Sequence, residues 1–457
     1  MSMNTSDELS GDSSRAISRR SMLKGGAGAV ALSAFLAACS SSGNSGGTSG
    51  GNSPAPGGST AGGSSASGDL GTTTVGSNYS DSSVKTAFAA VVNGYSGGQI
   101  SVNTVDHDTF QNNIQTYLQG SPNDVFTWFS GYRAKFFADQ GLLTPIDDVW
   151  DKIGANFTDA VKAASKGSDG KYYLVPWINY PWVMFYKKSV FAKNGYKVPG
   201  TWDDLIALCK QMQSDGFANP IAIGQKDGWP AMGTFDIINM RMNGYQFHID
   251  LMAHKVSWDD QRVKNVFKQW AQMAAYYTPG ANGRTYQETI QLWDQNKTSA
   301  LVFHGTDQVL PEVAKSSVSD LAFFPFPQIK SQYPTDSAID APIDGFLMSA
   351  KVKNQPGAAA FMEYLGTAKA EETFLKPNPA DIGTATDYDT STYTQLQKQS
   401  VQIIKNTKNL AQFLDRDTRP DFAYPIVQDA LGNFLNDPSS GDSVCSSLEA
   451  QAQHIFA

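Results

Sequence analysis

The stretch KYYLVPWINYPWVMFYK, residues 171–187, decides how this chain is read. It holds seven aromatics, Tyr172, Tyr173, Trp177, Tyr180, Trp182, Phe185 and Tyr186, within fifteen consecutive positions. A buried strand pair, a membrane-facing segment or a platform for a stacking ligand would each use such a run. The rest of the chain has to choose among them.

The membrane reading fails on length. No segment after residue 38 approaches the roughly eighteen consecutive apolar residues of a spanning helix. The start of the chain is a processing signal, set apart from fold reasoning. It runs from SRRSMLK (18–24) through the apolar GAVALSAFLAA (28–38) to Leu36, Ala37, Ala38 and Cys39. Residues 25–38 are too short and too rich in glycine and alanine for a permanent span. SRRSMLK resembles the twin-arginine export motif, with Met22 where phenylalanine is usual, and LAAC resembles the lipobox of bacterial lipoproteins. The implied product starts at Cys39 and carries lipid on its sulfur. Residues 40–68 are almost wholly Ser, Gly, Thr, Ala, Asn and Pro. Such a segment cannot bury enough apolar surface to order itself, and its ends lie on the order of 30 Å apart. Residues 1–38 are thus expected to be an export signal and 39–69 a lipidated leash. The globular part would work at the outer face of the cytoplasmic membrane without entering it.

About 390 residues follow, the size of two domains. The formal net charge is −8. Residues 1–38 hold Arg15, Arg19, Arg20 and Lys24 against Asp7, Glu8 and Asp12, so the remainder is one unit more acidic. An acidic surface argues against nucleic acid or anionic lipid as the main partner. After Cys39 only Cys209 and Cys445 remain. They permit one disulfide and fit two buried thiols equally well, since Cys209 shares an apolar helix face with Leu205, Leu208 and Met212.

Short β-branched and aromatic runs alternate with amphipathic helical patterns. TTTVG (72–76), QISVNTV (99–105) and DVFTWF (124–129) each precede a helix, the first with Val84, Phe88, Val91 and Val92 on one face. YYLVPW, WVMFYKK, IAIG (221–224), SALVFHG, LAFFPFP and GFLMSAK (345–351) read as further strands. TWDDLIALCKQM is a helix with Thr201 as N-cap and Asp204 closing a capping box. The β-then-α order predicts two α/β lobes with parallel sheets.

Several catalytic patterns drop out. GYSGG (94–98) matches the nucleophile elbow in letters, but the elbow needs a strand before Ser96 and a helix after it. The order here is the reverse, so the segment reads as a helix-to-strand turn. His107, His248, His254, His304 and His454 form no metal-spaced pattern, and no P-loop is present. Asp106, His107 and Asp108 read as solvated surface or a helix cap. No metal and no cofactor are called for.

GKYYLVPW, VMFYKKSVFAKNGYKVPGTWDDL and GFLMSAKVKNQPGAAAFMEYLGT, in this order and spacing, resemble the family 1 extracellular solute-binding proteins of ABC importers, which include maltose-type sugar receptors. Lys187 stands where the family usually has asparagine. FHGTDQV (303–309) replaces a glycine followed by an aromatic pair. The resemblance implies the two-lobed periplasmic-binding-protein fold (type II, Venus-flytrap), whose lobes close on ligand by a hinge. It places interlobe crossings at 179–182, 343–345 and 384–387. Lobe 1 would be 70–181 plus 345–386, and lobe 2 would be 182–344 plus 387–457. It also implies a monomeric, non-enzymatic receptor, anchored only by its lipid, that delivers a mono- or oligosaccharide to the permease subunits of an ABC transporter. Its rivals are a lipid-anchored surface glycoside hydrolase and a receptor of the same fold for a non-sugar solute.

A sugar site needs flat apolar faces and oriented polar groups beyond the carboxyl ends of strands. Loops offering both contain Asn78 and Tyr79, Trp128 and Ser130, and Asp227 and Trp229. Thr306 and Asp307 follow SALVFHG, and Asp415, Arg416 and Asp417 lie in FLDRDTRPD. Tyr180, Trp182 and Asp344 sit at the crossings. Tyr172, Tyr173, Phe185 and Tyr186 alternate along strands and are read as core.

Overall fold

The structure, a computed structural model, describes residues 70–295 and 298–457. The export signal, Cys39 and the leash to residue 69 lie outside the described residues. Among the described residues, twelve strands form three sheets. In chain order they are β1 (Thr72–Ser77), β2 (Gln99–Thr104), β3 (Val125–Phe129), β4 (Leu174–Asn179), β5 (Trp182–Lys187) and β6 (Ile221–Ala222). They continue with β7 (Leu301–Gly305), β8 (Leu321–Phe324), β9 (Ile339–Asp340), β10 (Ile343–Met348), β11 (Ile382–Gly383) and β12 (Leu410–Ala411). One sheet has the order β11-β4-β10-β3-β1-β2, a second β6-β7-β5-β8, and β12 pairs with β9. With helices packed against the two larger sheets, the fold is a two-lobed α/β architecture.

The expectation of parallel sheets is corrected. β1 runs parallel to β2 and β3, and β6 parallel to β7, as β-then-α connections require. β10 is antiparallel to both β3 and β4, β11 is antiparallel to β4, and β5 is antiparallel to β7 and β8. β10 enters the first sheet directly from the short β9, without a covering helix, and so runs against its neighbours. Sequence periodicity carries no record of the end from which a strand enters.

The opening stretch divides where expected. β4 ends at Asn179 in the first sheet and β5 begins at Trp182 in the second, so Tyr180 and Pro181 alone join them. Ile343 of β10 and Ile382 of β11 both stand in register with Asn179, which brings three passages of the chain to one level. Trp177 and Phe185 are fully buried, Tyr172 stacks on Trp150 at 4.1 Å, and Tyr186 packs on Phe191 at 4.0 Å. Full burial of a ring such as Phe185 contributes roughly 1.5–3 kcal/mol, and the half-buried Tyr172 and Tyr186 contribute less.

Thr201 and Asp204 form the capping box at the start of helix Trp202–Ser214, which buries Leu205, Leu208, Cys209 and Met212. Asp106 caps helix His107–Gln119 by accepting from the Thr109 amide. Ser96 lies in the turn between helix Ser82–Gly94 and β2. Cys209 and Cys445 are free, buried thiols, which settles the open choice against a disulfide between them.

Glu371 fastens the segment after β11. Its carboxylate accepts from the Thr384 hydroxyl at 2.8 Å and from the amides of Thr384 and Ala385. Burial outweighs these donors and pushes the carboxyl up to about 8 from an ordinary 4.5. A folded-state value above the unfolded one gives stability that is complete below 4.5 and lost as pH rises through 8. Glu371→Gln should therefore remove a loss of stability between pH 5 and pH 8. Urea midpoints at the two pH values, wild type against variant, check this; identical pH slopes would refute it.

Candidate functional site

Where β5 leaves the crossing, a cavity of about 70 Å³ lies between the two lobes. One wall is aromatic. Trp182, 2% exposed, meets Trp229 edge-on at 6.0 Å and Phe413 at 4.7 Å, and lies over the His304 ring at 5.1 Å. Burial holds the His304 imidazole down to about 3, so it backs the tryptophan as a neutral ring. Phe413 holds a φ of 93°, a strained value for a residue with a side chain.

The facing wall is polar and is organised by Arg416. Its Nη1 donates to Asp344 Oδ1 at 2.5 Å and its Nη2 to the Tyr180 hydroxyl at 2.8 Å. Its guanidinium lies 3.9 Å over the Phe129 ring. Burial opposes the charge, but Asp344, Tyr180 and Asp415 outweigh it and hold the Arg416 pKa above its ordinary value. Burial raises the Asp344 carboxyl, with Arg416 pulling the other way. Asp307, raised well above the ordinary range by burial and by the charges of Asp381 and Asp344, keeps one oxygen without a partner. Gln308 beside it does the same. A further side of the cavity is made by His107 and Gln111, one turn apart on helix His107–Gln119.

The residues expected from sequence divide between this cavity and its surroundings. Tyr180, Trp182, Trp229, Asp307, Asp344, Asp415 and Arg416 line it. Seven others stand back from its wall. Asn78 hydrogen-bonds Thr127 and His107, one layer behind. Tyr79 packs on Phe88, Phe346 and Phe374, with its hydroxyl unpartnered near the charges of Asp344 and Asp381. Trp128 is core, packed on Phe110 and Phe137 with the Arg133 guanidinium 4.9 Å from its ring. Ser130 donates to the Ala164 carbonyl and faces a separate groove, which Asp417 also lines. Asp227 accepts the Tyr286 amide. Thr306 begins helix Thr306–Glu312, buried and outside the cavity wall. His107, Gln111, Gln308, Pro342 and Phe413 line the cavity and were not anticipated.

Gly233, on the buried helix Pro230–Asn243, supports the aromatic wall from behind. A Cβ there would stand 2.9 Å from the Trp182 ring and 2.6 Å from Phe413. Gly233→Ala gains about 1 kcal/mol of helix propensity, yet must push both rings toward the cavity. The expected outcome is weaker ligand binding by at least about tenfold, equal to ~1.4 kcal/mol, as measured by calorimetry. Unchanged affinity would show that the rings do not touch ligand.

The described residues contain no helix long and apolar enough to cross a membrane and no group of three or more His, Cys, Asp or Glu placed to hold a metal.

Comparison with known proteins agrees with this geometry. The profile of the bacterial extracellular solute-binding protein family matches residues 52–372, well over half of the chain. The solute receptor AcbH, whose structural study reports an exclusive preference for β-D-galactopyranose, is 49% identical, with a TM-score of 0.82 over 85% of this chain and 100% of that one. The diacetylchitobiose-binding protein NgcE of Streptomyces coelicolor is 20% identical over 73% of this chain and 73% of its own length. An uncharacterised ABC transporter extracellular-binding protein of Pyrococcus horikoshii is 25% identical over 64% of this chain, and the match spans 65% of that relative. The cavity between two α/β lobes, the sequence profile and the near-half identity to a solved receptor converge: this chain belongs to the bacterial extracellular solute-binding protein family.

Proposed function

We propose that this chain is the carbohydrate receptor of an ABC importer, capturing a galactopyranose-type sugar between its lobes and presenting the closed form to a membrane permease. The observation that carries the reading is the pairing of the Trp182 and Trp229 wall with Arg416, Asp344 and Asp307 across one small cavity. A pyranose has an apolar C–H face that stacks on indole and an edge of hydroxyls that both accept and donate. Arg416 donates to an acceptor oxygen, and a carboxylate accepts two hydroxyls. The 49% identity to a receptor described as selective for β-D-galactopyranose favours that sugar.

The lobes in this reading are 70–181 with 345–386 and 182–344 with 387–457, hinged at 179–182, 343–345 and 384–387. Asn78, Tyr79, Asp227 and Thr306 would support the cavity from behind. The signal and LAAC would place the protein outside the cytoplasmic membrane, tethered through Cys39 as a monomer on its leash.

A thermal-shift screen of sugars, polyols, amines and peptides tests the function. A true ligand at a hundredfold above its dissociation constant adds about 2.7 kcal/mol of stability. Galactose should stabilise and amines and peptides should not. A shift with a peptide or amine alone would overturn the carbohydrate reading.

A further inference from the structure

On one side, four side chains separate the cavity from a much larger groove. Arg133, on helix Tyr132–Asp139, is 2% exposed. Its Nη1 donates to Gln111 Oε1 at 2.9 Å and to Asp415 Oδ2 at 3.0 Å. The Tyr424 hydroxyl donates to the same Asp415 oxygen at 3.0 Å. Gln111 and Asp415 line the small cavity. Gln111, Arg133 and Tyr424 line a neighbouring groove of about 510 Å³, bounded also by Phe136 and Gln428. Gln111 thus faces both spaces, and the Arg133–Asp415 ion pair closes the passage beside it.

The partition is built from both lobes. Gln111 and Arg133 sit on helices that pack against the first sheet. Asp415 lies on the turn Leu414–Asp417, whose Leu414 amide is held by Asp236 of helix Pro230–Asn243. The wall therefore depends on this arrangement of the chain.

We infer that the Gln111–Arg133–Asp415–Tyr424 partition fixes the length of the ligand, admitting one sugar ring and excluding a second. The inference rests on the carbohydrate reading above. The inner cavity has about 70 Å³. It is far smaller than the groove of about 510 Å³ beyond the wall. A ring extending past this wall would enter the outer groove, and the bond linking it would have to pass through the ion pair. Breaking that pair leaves a buried charge without its partner, so rejection of longer sugars is built into the wall.

Calorimetric titration of the protein with D-galactose, lactose and β-1,4-galactobiose tests this, because the two disaccharides extend a galactose ring from O1 and from O4. Wild type should bind galactose at least about 1,000-fold tighter than either disaccharide. Arg133→Leu and Gln111→Ala should each raise the disaccharide-to-galactose affinity ratio by at least about tenfold. The ratio is the informative readout, since general loosening of the fold lowers both affinities together. Gln111→Ala leaves the ion pair intact and serves if Arg133→Leu does not fold. A wild type that binds a disaccharide as tightly as galactose overturns the inference, as does an unchanged ratio in a folded variant. A wild type that binds none of the three overturns the proposed function and this inference with it.

Discussion

Arg416→Met is expected to abolish ligand binding and to lower stability by about 3–5 kcal/mol, the cost of leaving one member of a buried ion pair alone. Asp344 is the member left behind. It sits on β10 at the crossing and takes its charge-assisted hydrogen bond from Arg416 at 2.5 Å. The same guanidinium holds the Tyr180 hydroxyl and covers the Phe129 ring, so three passages of the chain meet on one cation. A second substitution separates the two roles. Asp344→Asn added to Arg416→Met removes the stranded charge and should restore much of the stability while binding stays absent. Urea denaturation with calorimetry reads both quantities. Recovery of binding in the double variant would show that the pair is structural only.

Trp182→Ala should show the second large effect, about 3–5 kcal/mol of stability together with loss of binding. Its ring is in contact with Trp229, Phe303, His304 and Phe413, and it fills the junction between β5 and the helix that carries Gly233. Trp229 makes the instructive contrast, because it is only partly buried at the end of the same wall. Trp229→Ala should weaken binding with little effect on folding. Equal stability losses in the two variants would place both rings in the core and neither in the site.

The crossing was legible in sequence because two runs of strand-forming aromatics flank INYPW, and the structure needs only Tyr180 and Pro181 to pass from sheet to sheet. Charged residues at turns were also informative. Asp307, Asp344, Asp415 and Arg416 were singled out because they follow strands or sit at a crossing and can pair with hydroxyls. The choice between neighbours on a strand was less accessible. Trp128 and Phe129 at the end of β3 are both buried with ring centroids 4.8 Å apart, and it is Phe129 that meets Arg416. Sequence favoured Trp128 because it was read, with Ser130, as part of the turn after the strand, whereas it lies within β3. His107 and Gln111 were hidden for another reason. Their spacing of four marks one helix face, but His107 stands between Asp106 and Asp108, and capping absorbed the signal. Phe413 gave no warning, since a positive φ at a phenylalanine has no signature in composition. The direction of β10 was beyond reach, being set by the route through the hinge.

The cavity between Trp182 and Arg416 should hold a single galactopyranose. Calorimetric titration of D-galactose into the wild-type protein and into Arg416→Met measures this. The wild type should show one site per chain, with a dissociation constant on the order of 1 μM or tighter, and the variant no heat of binding. Absence of binding in the wild type, or equal affinity in both proteins, would contradict it.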